Sequence, residues 1–217
     1  MPDGVLHEVY ERLHAAFGPQ RWWPGDSPTE VAIGAVLTQN TAWTNVEKAI
    51  IALKQRGCLD FARIRGLDED DLADIIRSAG TFRIKARRLR ALADWVHRRG
   101  GTIEAALKGE TARVRKSLLG VDGIGPETAD AILLYAGGHA VFVVDAYTRR
   151  VLRRHGLLGG DDSYADVQGM FAGALPRDAV MFNEYHALLV AVGKQHCRAL
   201  AKCDGCPLEH LPHDEGL

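Results

Sequence analysis

The sequence contains few cysteines and no long hydrophobic run. Only four of its 217 residues are Cys, and no apolar stretch approaches the roughly 20 residues that span a bilayer. No signal peptide precedes the chain, so we expect an intracellular protein without a disulfide framework. These absences argue against a membrane protein and against a disulfide-stapled secreted domain.

An excess of charge of one sign is also missing. The 27 Lys and Arg residues balance 28 Asp and Glu residues, giving a formal net charge of -1, and this balance alone does not favour a nucleic-acid partner. Basic residues nevertheless cluster in Arg83–Arg90 and Arg149–Arg154, while acidic residues gather in Asp68–Asp74. Such runs are usually solvated helix faces, but a basic face can also lie against a phosphate backbone.

Apolar residues recur with helical periodicity along the chain. The segments with this pattern are Val5–Phe17, Thr29–Arg56, Asp68–Ser78, Lys85–Arg99, Thr111–Leu119, Glu127–Gly137, Ala146–Arg154 and Asp178–Cys197. Val141–Val144 (VFVV) could form a strand, but no partner strand is evident, so we predict an all-α fold. With 47% hydrophobic residues the chain can bury a substantial core, and no low-complexity linker or repeat divides it.

A glycine-rich turn separates two of these helices. Gly120, Gly123 and Gly125 interrupt an apolar run, and Pro126 suits the first position of the helix that follows. Glycine permits positive φ and a close approach of the backbone to a ligand, and we expect Gly125 to need positive φ. Free amides at such a turn form an anion site that suits a phosphate. The alternative is a helix–helix corner in which the glycines serve packing alone.

An acidic residue follows the hairpin at a fixed distance. The apolar run ends 18 residues after Glu127, where Asp145 precedes the helical pattern AYTRRVLRR. Asp is a favoured N-cap residue, and an acid at the end of a buried segment is also a candidate catalyst. The sequence leaves both roles open.

Together, the hairpin LLGVDGIG, the helix after it and Val-Asp at this distance resemble the helix-hairpin-helix glycosylase superfamily, specifically its endonuclease III branch. The resemblance implies a two-lobed helical fold with the active site in the cleft between the lobes. Residues 28–138 would form a helical barrel domain, and residues 1–27 and 139–217 a second domain with the Cys-rich C-terminal segment. It also implies that Asp145 is the essential catalytic carboxylate and that the partner is double-stranded DNA containing damaged bases. We expect a monomer that is cytoplasmic or associated with the nucleoid.

Two further segments carry the same resemblance, which spans about residues 28 to 206. In Val31–Thr41 (VAIGAVLTQNT), Gln39 would probe the gap left by an extruded base, although helix C-capping by Gln39 and Asn40 is an alternative. Ile75–Ala93 is similar to a family helix–turn–helix with the pattern G-(F/Y)-x-x-x-K-A. The resemblance implies a DNA-binding set made up of Gln39, Asn40, Gly123, Gly125, Thr128 and Arg149.

Glu127 departs from the bifunctional members of the branch. Those enzymes carry a Lys in this position, and its amine attacks C1′ and forms a Schiff base that cleaves the strand. A carboxylate cannot form an imine, so we expect a monofunctional glycosylase without AP-lyase activity. Asp145 would then orient or deprotonate a water molecule and stabilise the positive charge that develops on the deoxyribose.

Three of the four tryptophans lie close together in the sequence, namely Trp22, Trp23 and Trp43. Core packing is the usual fate of an aromatic side chain. However, Trp22 to Pro24 followed by LTQNT and another aromatic residue resembles the 3-methyladenine glycosylases of the endonuclease III type, in which aromatic rings sandwich the damaged base. Those relatives also carry Glu in the Glu127 position. An alkylated purine is cationic and is attracted by π faces, so we predict an alkylated purine such as 3-methyladenine as the substrate.

Three cysteines near the end, Cys197, Cys203 and Cys206, form a C-x5-C-x2-C pattern, whereas Cys58 stands alone and suits a small buried position. Metal ligation is the better interpretation of the three, because we expect no disulfide framework. Endonuclease III relatives often bind a [4Fe-4S] cluster here through four Cys. This chain has Pro212 at the fourth position, and His210 or His213 could complete an iron–sulfur site or a Cys3His zinc site. Loss of the cluster is the remaining alternative.

The function indicated is base excision repair, by hydrolysis of the N-glycosidic bond of a flipped-out damaged base. An endonuclease III-like glycosylase for oxidised pyrimidines or mismatched bases would keep most of these motifs. A non-catalytic DNA-damage-binding protein would keep the hairpin and lose the catalytic carboxylate, whereas Asp145 is present.

Overall fold

The computed structural model describes residues 4–20, 22, 25–214 and 216. The chain is 62% helical, and no strand occurs within these ranges. The all-α prediction is therefore confirmed. No helix in these ranges is both long enough and apolar enough to cross a membrane.

The α-helices of the described part of the chain are numbered in chain order. They are α1 Val5–Phe17, α2 Pro28–Leu37, α3 Trp43–Gln55, α4 Phe61–Gly66, α5 Glu69–Ile75, α6 Phe82–Arg98, α7 Ile103–Ala106, α8 Thr111–Leu119, α9 Pro126–Ala131, α10 Ala146–Arg154, α11 Tyr164–Ala174 and α12 Ala179–Gln195. A 3₁₀ turn, Arg77–Ala79, precedes α6, and a π-helical turn, Ile132–Ala136, continues α9.

The chain forms two compact units. The first unit comprises Met1–Trp22 and Ala140–Leu217. Its core contains an aromatic cluster in which the Phe142 ring stacks on the Phe171 ring, with a centroid distance of 3.7 Å. The Tyr185 ring meets both edge-on, and its buried hydroxyl donates to the Leu6 carbonyl oxygen at 2.7 Å. These contacts join α1, α11 and α12 to the segment that precedes α10.

The second unit, Trp23–His139, is built around α2, whose residues 30 to 37 are all buried. Lys85 of α6 is only 1% exposed, and its amine donates to the Leu37 carbonyl oxygen at 2.8 Å and to the Ala79 carbonyl oxygen at 2.7 Å. Burial, and to a smaller extent the charge of Arg88, lower the pKa of Lys85 to about 8. The amine thus ties the end of α2 to the end of the 3₁₀ turn, satisfying carbonyl groups that helix ends leave without intrahelical partners.

Some local expectations were wrong. The pattern expected over Thr29–Arg56 is broken after Leu37, and α3 starts only at Trp43; Asn40 between them has a left-handed φ of 51°. The sequence analysis did not predict α11, which carries two glycines, although its start is marked by a capping box between Ser163 and Asp166. Cys58, expected to be buried, is partly exposed.

The glycine-rich turn lies between α8 and α9, as predicted, but the positive φ belongs to a different residue. Gly125 caps α9 with φ -86° and ψ 178°, an extended conformation open to any residue. Gly123 instead has φ +74°, and a Cβ added there would overlap the side chain of Arg88. The expectation of positive φ at Gly125 is therefore wrong, and Gly123 is the position where the turn requires glycine.

This difference predicts unequal effects of two matched substitutions. Gly123→Ala should lower the free energy of unfolding by at least about 1–2 kcal/mol, the cost of a left-handed conformation for an L-residue, and it must also displace Arg88. In Gly125→Ala the added methyl meets nothing within 4 Å, and the reduced freedom of the unfolded chain offsets the poorer cap. Urea unfolding of both variants measures the difference, and equal destabilisation would contradict the assigned turn geometry.

Candidate functional site

Asp145 is delivered by a buried, extended segment, Val141–Val144, that is not part of a sheet. Two side chains of α11 hold this segment in place of a partner strand. The Gln168 amide donates to the Phe142 carbonyl oxygen at 2.6 Å, and the Val144 N–H donates to the Tyr164 hydroxyl at 3.3 Å. Backbone groups that a sheet would pair are thereby satisfied by side chains.

Asp145 is the N-cap of α10. Its Oδ1 atom accepts a hydrogen bond from the Thr148 N–H at 2.7 Å. A carboxylate in this position is also favoured by the positive end of the helix dipole. The N-cap role considered from the sequence is therefore real, and it fixes one of the two carboxylate oxygens.

The second oxygen of Asp145 faces a histidine from another helix. The Nε2 atom of His186, on α12, lies 3.5 Å from Asp145 Oδ2, and the two side chains are 5% and 15% exposed. Burial raises the pKa of Asp145, but His186 and the Thr148 N–H outweigh burial and hold the pKa below its ordinary value. Asp145 is therefore an ionised, nearly buried carboxylate at neutral pH.

His186 was not among the site residues predicted from the sequence. The residue lies within the apolar helix α12, where Tyr185, Ala187 and Leu188 are also buried. A lone His on a buried helix was the available signal, but its partner is 41 positions earlier in the chain. No local pattern connects the two residues.

Three of the four arginines that follow Asp145 in α10 donate to backbone carbonyls within the first unit. Arg149 donates to the Asp162 carbonyl oxygen at 2.9 Å, and Arg150 to that of Cys197 at 2.6 Å. Arg154 is buried and donates to Cys197 Sγ at 3.3 Å and to the Ala199 carbonyl oxygen at 2.9 Å. This face of α10 is therefore largely a structural link to the C-terminal segment.

In the second unit, Gln39 braces the glycine-rich turn. Its amide nitrogen donates to the Gly123 carbonyl oxygen at 3.0 Å and to the Thr128 hydroxyl at 2.9 Å. Arg88 of α6 in turn donates to the Gln39 side-chain oxygen at 2.5 Å. The structure thus brings together Gln39, Gly123 and Thr128, and it adds Arg88, which the sequence analysis named only as part of a basic cluster. Asn40 is exposed next to Gln39.

Glu127 is exposed in the first turn of α9, the helix that follows the hairpin. Its position matches the expectation from the sequence, directly after Pro126 at the start of the helix. The first turn of α9 therefore presents a carboxylate.

The tryptophans are placed in different surroundings. Trp22 belongs to the first unit, where the amine of Lys194 lies 5.5 Å from the centroid of its ring. Trp43, in the second unit, starts α3 and donates from Nε1 to Glu47 Oε1 at 2.9 Å. Trp23 and Pro24 lie outside the described residues.

Trp43 lines an open groove that is rich in carboxylates. The other residues lining it are Gly25, Asp26, Glu30, Glu47, Ile50, Ile51 and Lys54. The amine of Lys54 lies 2.7 Å from Asp26 Oδ2 and 2.9 Å from Glu30 Oε2. Two carboxylates therefore face the amine, and Glu47 adds a third to the same groove, so the carboxylates lining it outnumber its amine.

Cys197, Cys203 and Cys206 line one recess in the first unit, together with His155, His196 and His213. The Nδ1 atom of His213 lies 2.7 Å from the Leu211 carbonyl oxygen. Since a carbonyl only accepts, Nδ1 carries a proton, so Nε2 carries the lone pair in the neutral form of the ring. His210 instead contacts Glu8 Oε1 at 3.1 Å. Within the described ranges no group of three or more His, Cys, Asp or Glu side chains is drawn together in a metal-binding arrangement.

Similar proteins point to one family. Residues 33–177 match the family model of the HhH-GPD superfamily base excision DNA repair proteins. The chain is 41% identical over 209 residues to a candidate DNA repair glycosylase of Methanocaldococcus jannaschii, with 95% of each chain covered. It is 29% identical over 176 residues to endonuclease III of Sulfolobus acidocaldarius, with 80% of this chain and 76% of that protein covered.

Solved structures of two DNA repair enzymes are similar to this chain. The H. pylori 3-methyladenine DNA glycosylase bound to 1,N6-ethenoadenine has a TM-score of 0.77 and 28% identity, covering 88% of this chain and 96% of its own. A non-covalent endonuclease III–DNA complex has a TM-score of 0.83 at 23% identity, covering 98% and 95%, and shows the shared fold. Since the family model covers more than half of the chain and the archaeal relative nearly all of it, the protein belongs to the HhH-GPD superfamily of base excision DNA repair proteins.

Proposed function

We propose that the protein is a monofunctional DNA glycosylase that hydrolyses the N-glycosidic bond of a flipped-out alkylated purine, such as 3-methyladenine, in duplex DNA. The observation that carries the proposal is Asp145, a nearly buried carboxylate kept ionised at the start of α10. An ionised carboxylate is what a reaction through a sugar cation needs. Family membership supplies the class of substrate.

The chemistry assigned to Asp145 is electrostatic and general-base catalysis. As the base leaves, positive charge develops on the deoxyribose, and a fixed negative charge in a site of low dielectric stabilises it. The same carboxylate orients or deprotonates the attacking water. One preorganised electrostatic group of this kind is worth about 3–4 kcal/mol of barrier. Thr148 and His186 hold the carboxylate before the substrate arrives, so little reorganisation is needed during the reaction.

For DNA binding, we assign the backbone amides around Gly123 and Gly125 to a phosphate of the duplex. The hydrogen bonds from Gln39 to Gly123 and Thr128 support this role, because they fix the turn in one conformation. Asn40 and Arg149 complete the proposed contact set. Two of the similar solved structures are endonuclease III complexes with DNA, which favours a duplex as the partner.

Glu127 supports the absence of AP-lyase activity. Strand cleavage through a Schiff base needs an amine that attacks C1′, and the first turn of α9 presents a carboxylate. Hydrolysis by water then leaves an intact strand with an abasic site.

The groove at Trp43 favours an alkylated purine over a neutral base. A cationic purine gains from an aromatic face and from the surplus of carboxylates at Asp26, Glu30 and Glu47. A neutral oxidised pyrimidine or mispaired adenine gains little from that charge. We assign the aromatic face of the base pocket to Trp43, and the resemblance that added Trp22, Trp23 and Pro24 to the pocket stays a prediction. The resemblance to the H. pylori 3-methyladenine glycosylase supports the same choice.

We also propose that Cys197, Cys203 and Cys206 bind a [4Fe-4S] cluster, with His213 as the fourth ligand. The types of donor suit such a cluster, because three sulfur atoms and an imidazole line the same recess. His213 is preferred to His210 because it lines the recess with its lone pair on Nε2, whereas His210 contacts Glu8. When bound, such a cluster would cross-link the C-terminal segment.

The catalytic assignment predicts both a rate and a product. Asp145→Asn keeps the shape but removes the charge, so single-turnover excision of 3-methyladenine should fall at least about a hundredfold. Wild-type protein should leave abasic strands that break only after alkali, and borohydride should trap little protein–DNA adduct. Glu127→Gln should behave the same in trapping, whereas Glu127→Lys restores an amine as a positive control. Strong trapping by the wild type would contradict the monofunctional assignment.

The substrate assignment predicts a selective loss in Trp43→Ala. Loss of the stack should weaken 3-methyladenine excision by about 1–3 kcal/mol, while binding to an abasic-site analogue changes much less. Glu47→Gln removes one charge from the groove, so it should slow excision of the cationic base more than of neutral hypoxanthine. Lys48→Gln, exposed on the same helix, is the control. Processing of oxidised-pyrimidine duplexes with methylated DNA untouched would sink the alkylpurine assignment.

The cluster assignment predicts colour and composition. Protein purified without oxygen should be brown and contain iron and inorganic sulfide. Cys203→Ser and His213→Ala should lose both, His210→Ala should keep them, and His213→Cys should keep them with a four-Cys ligand set. Elemental analysis and visible absorbance measure the outcome. Colourless protein that contains zinc or no metal would overturn the cluster.

A further inference from the structure

His186 is a buried ionisable side chain to which neither the family assignment nor the sequence motifs give a role. It is 4% exposed in α12, among buried apolar neighbours. Burying an imidazole among apolar groups costs free energy unless it meets a polar partner. A side chain that only filled space here would be apolar.

The imidazole meets the one polar group that the proposed chemistry depends on. Asp145 Oδ1 is held by the Thr148 N–H of α10, and Oδ2 faces His186 Nε2 at 3.5 Å. Thr148 acts on the carboxylate from its own helix, through its N–H and its side chain. The contact from His186 comes from a different helix and constrains the second oxygen.

We propose that His186 is a positioning residue for glycosidic-bond hydrolysis: from α12 it fixes the orientation of the Asp145 carboxylate and keeps it charged. The inference rests on the proposed function, because it acts through the catalytic role of Asp145. His186 itself does not touch the substrate in this assignment.

Few other groups compete for this role. From α10, the Thr148 N–H and side chain act on Asp145, while Arg149 and Arg150 are directed to backbone carbonyls. From α11, Tyr164 accepts from the Val144 N–H. The titratable group that faces the Asp145 carboxylate from another helix is therefore His186, and it acts against burial, which raises the pKa of Asp145.

This arrangement fixes the sign of a pH effect. Excision needs the ionised carboxylate, so the rate falls as the pH drops through the pKa of Asp145. Burial raises the pKa of Asp145 and His186 lowers it, so the pKa of Asp145 rises when the imidazole is removed. The acidic limb of the rate profile should then move to higher pH, and the defect should shrink as the pH increases.

The test compares His186→Phe, which fills the volume without a donor, with His186→Gln, which keeps a neutral N–H donor. In single-turnover excision at neutral pH, His186→Phe should be slower by about ten- to a hundredfold, the range expected when a catalytic group is misplaced by about 1 Å. Its acidic limb should shift upward, and His186→Gln should recover part of the rate. Binding to an abasic-site analogue should be unchanged in both. His97→Phe, at an exposed histidine, is the control.

An unaltered rate and pH profile in a folded His186→Phe variant would overturn the inference. If that variant fails to fold, His186→Gln decides: a wild-type profile overturns the inference, and a slower rate with a shifted acidic limb supports it. Asp145→Asn separates this test from the proposed function. If Asp145→Asn is inactive and the His186 variants behave like the wild type, only the role of His186 is contradicted. If Asp145→Asn is active, the catalytic assignment of Asp145 is contradicted.

Discussion

The first unit is organised by the need to hold one charge where little water reaches it. Burial alone would raise the pKa of the Asp145 carboxylate, which is 15% exposed. The start of α10 supplies an N–H, and α12 supplies an imidazole. The segment that leads to Asp145 is also held by side chains. Val141–Val144 is extended without a partner strand, and Gln168 and Tyr164 of α11 supply hydrogen bonds to its backbone. Three helices from separate parts of the sequence therefore serve one carboxylate.

In the second unit, side chains likewise hold polar groups of the backbone in place. A tight turn leaves backbone carbonyls and amides without helical partners, and a side chain that pairs with one of the carbonyls holds the turn in one conformation. Gln39 takes the Gly123 carbonyl, and Arg88 holds Gln39 in place. Arg88 also occupies the space where a Cβ of Gly123 would lie. Positive φ and close packing thus require glycine at the same residue for two independent reasons.

The parts of this arrangement that depend on neighbouring residues could be predicted from the sequence, and those that depend on distant contacts could not. Helical periodicity with flanking caps identified α1, α8 and α10, and it identified Asp145 as an N-cap. The glycines indicated the hairpin but not which of them has positive φ, and the Arg88 side chain that leaves no room for a Cβ at Gly123 comes from another helix. Helix α11 was not predicted because its two glycines weaken the helical pattern, and its stability comes from packing such as that of Phe171 on Phe142. The role inferred for His186 depends on its proximity to Asp145, and no spacing in the sequence indicates that proximity.

Charge distribution links the fold to the proposed partner. Arg150 and Arg154 follow Asp145, the proposed catalytic residue, yet their guanidinium groups bind backbone carbonyls of the C-terminal segment. They are therefore committed to stability, and their positive charge is only partly available to DNA phosphates. In the proposed DNA-binding set, oriented amides would contact phosphates through partial charges, without adding a full positive charge to a chain whose formal net charge is -1. Near-neutral composition and DNA binding are compatible for this reason, and the composition taken alone gave a misleading indication about the partner.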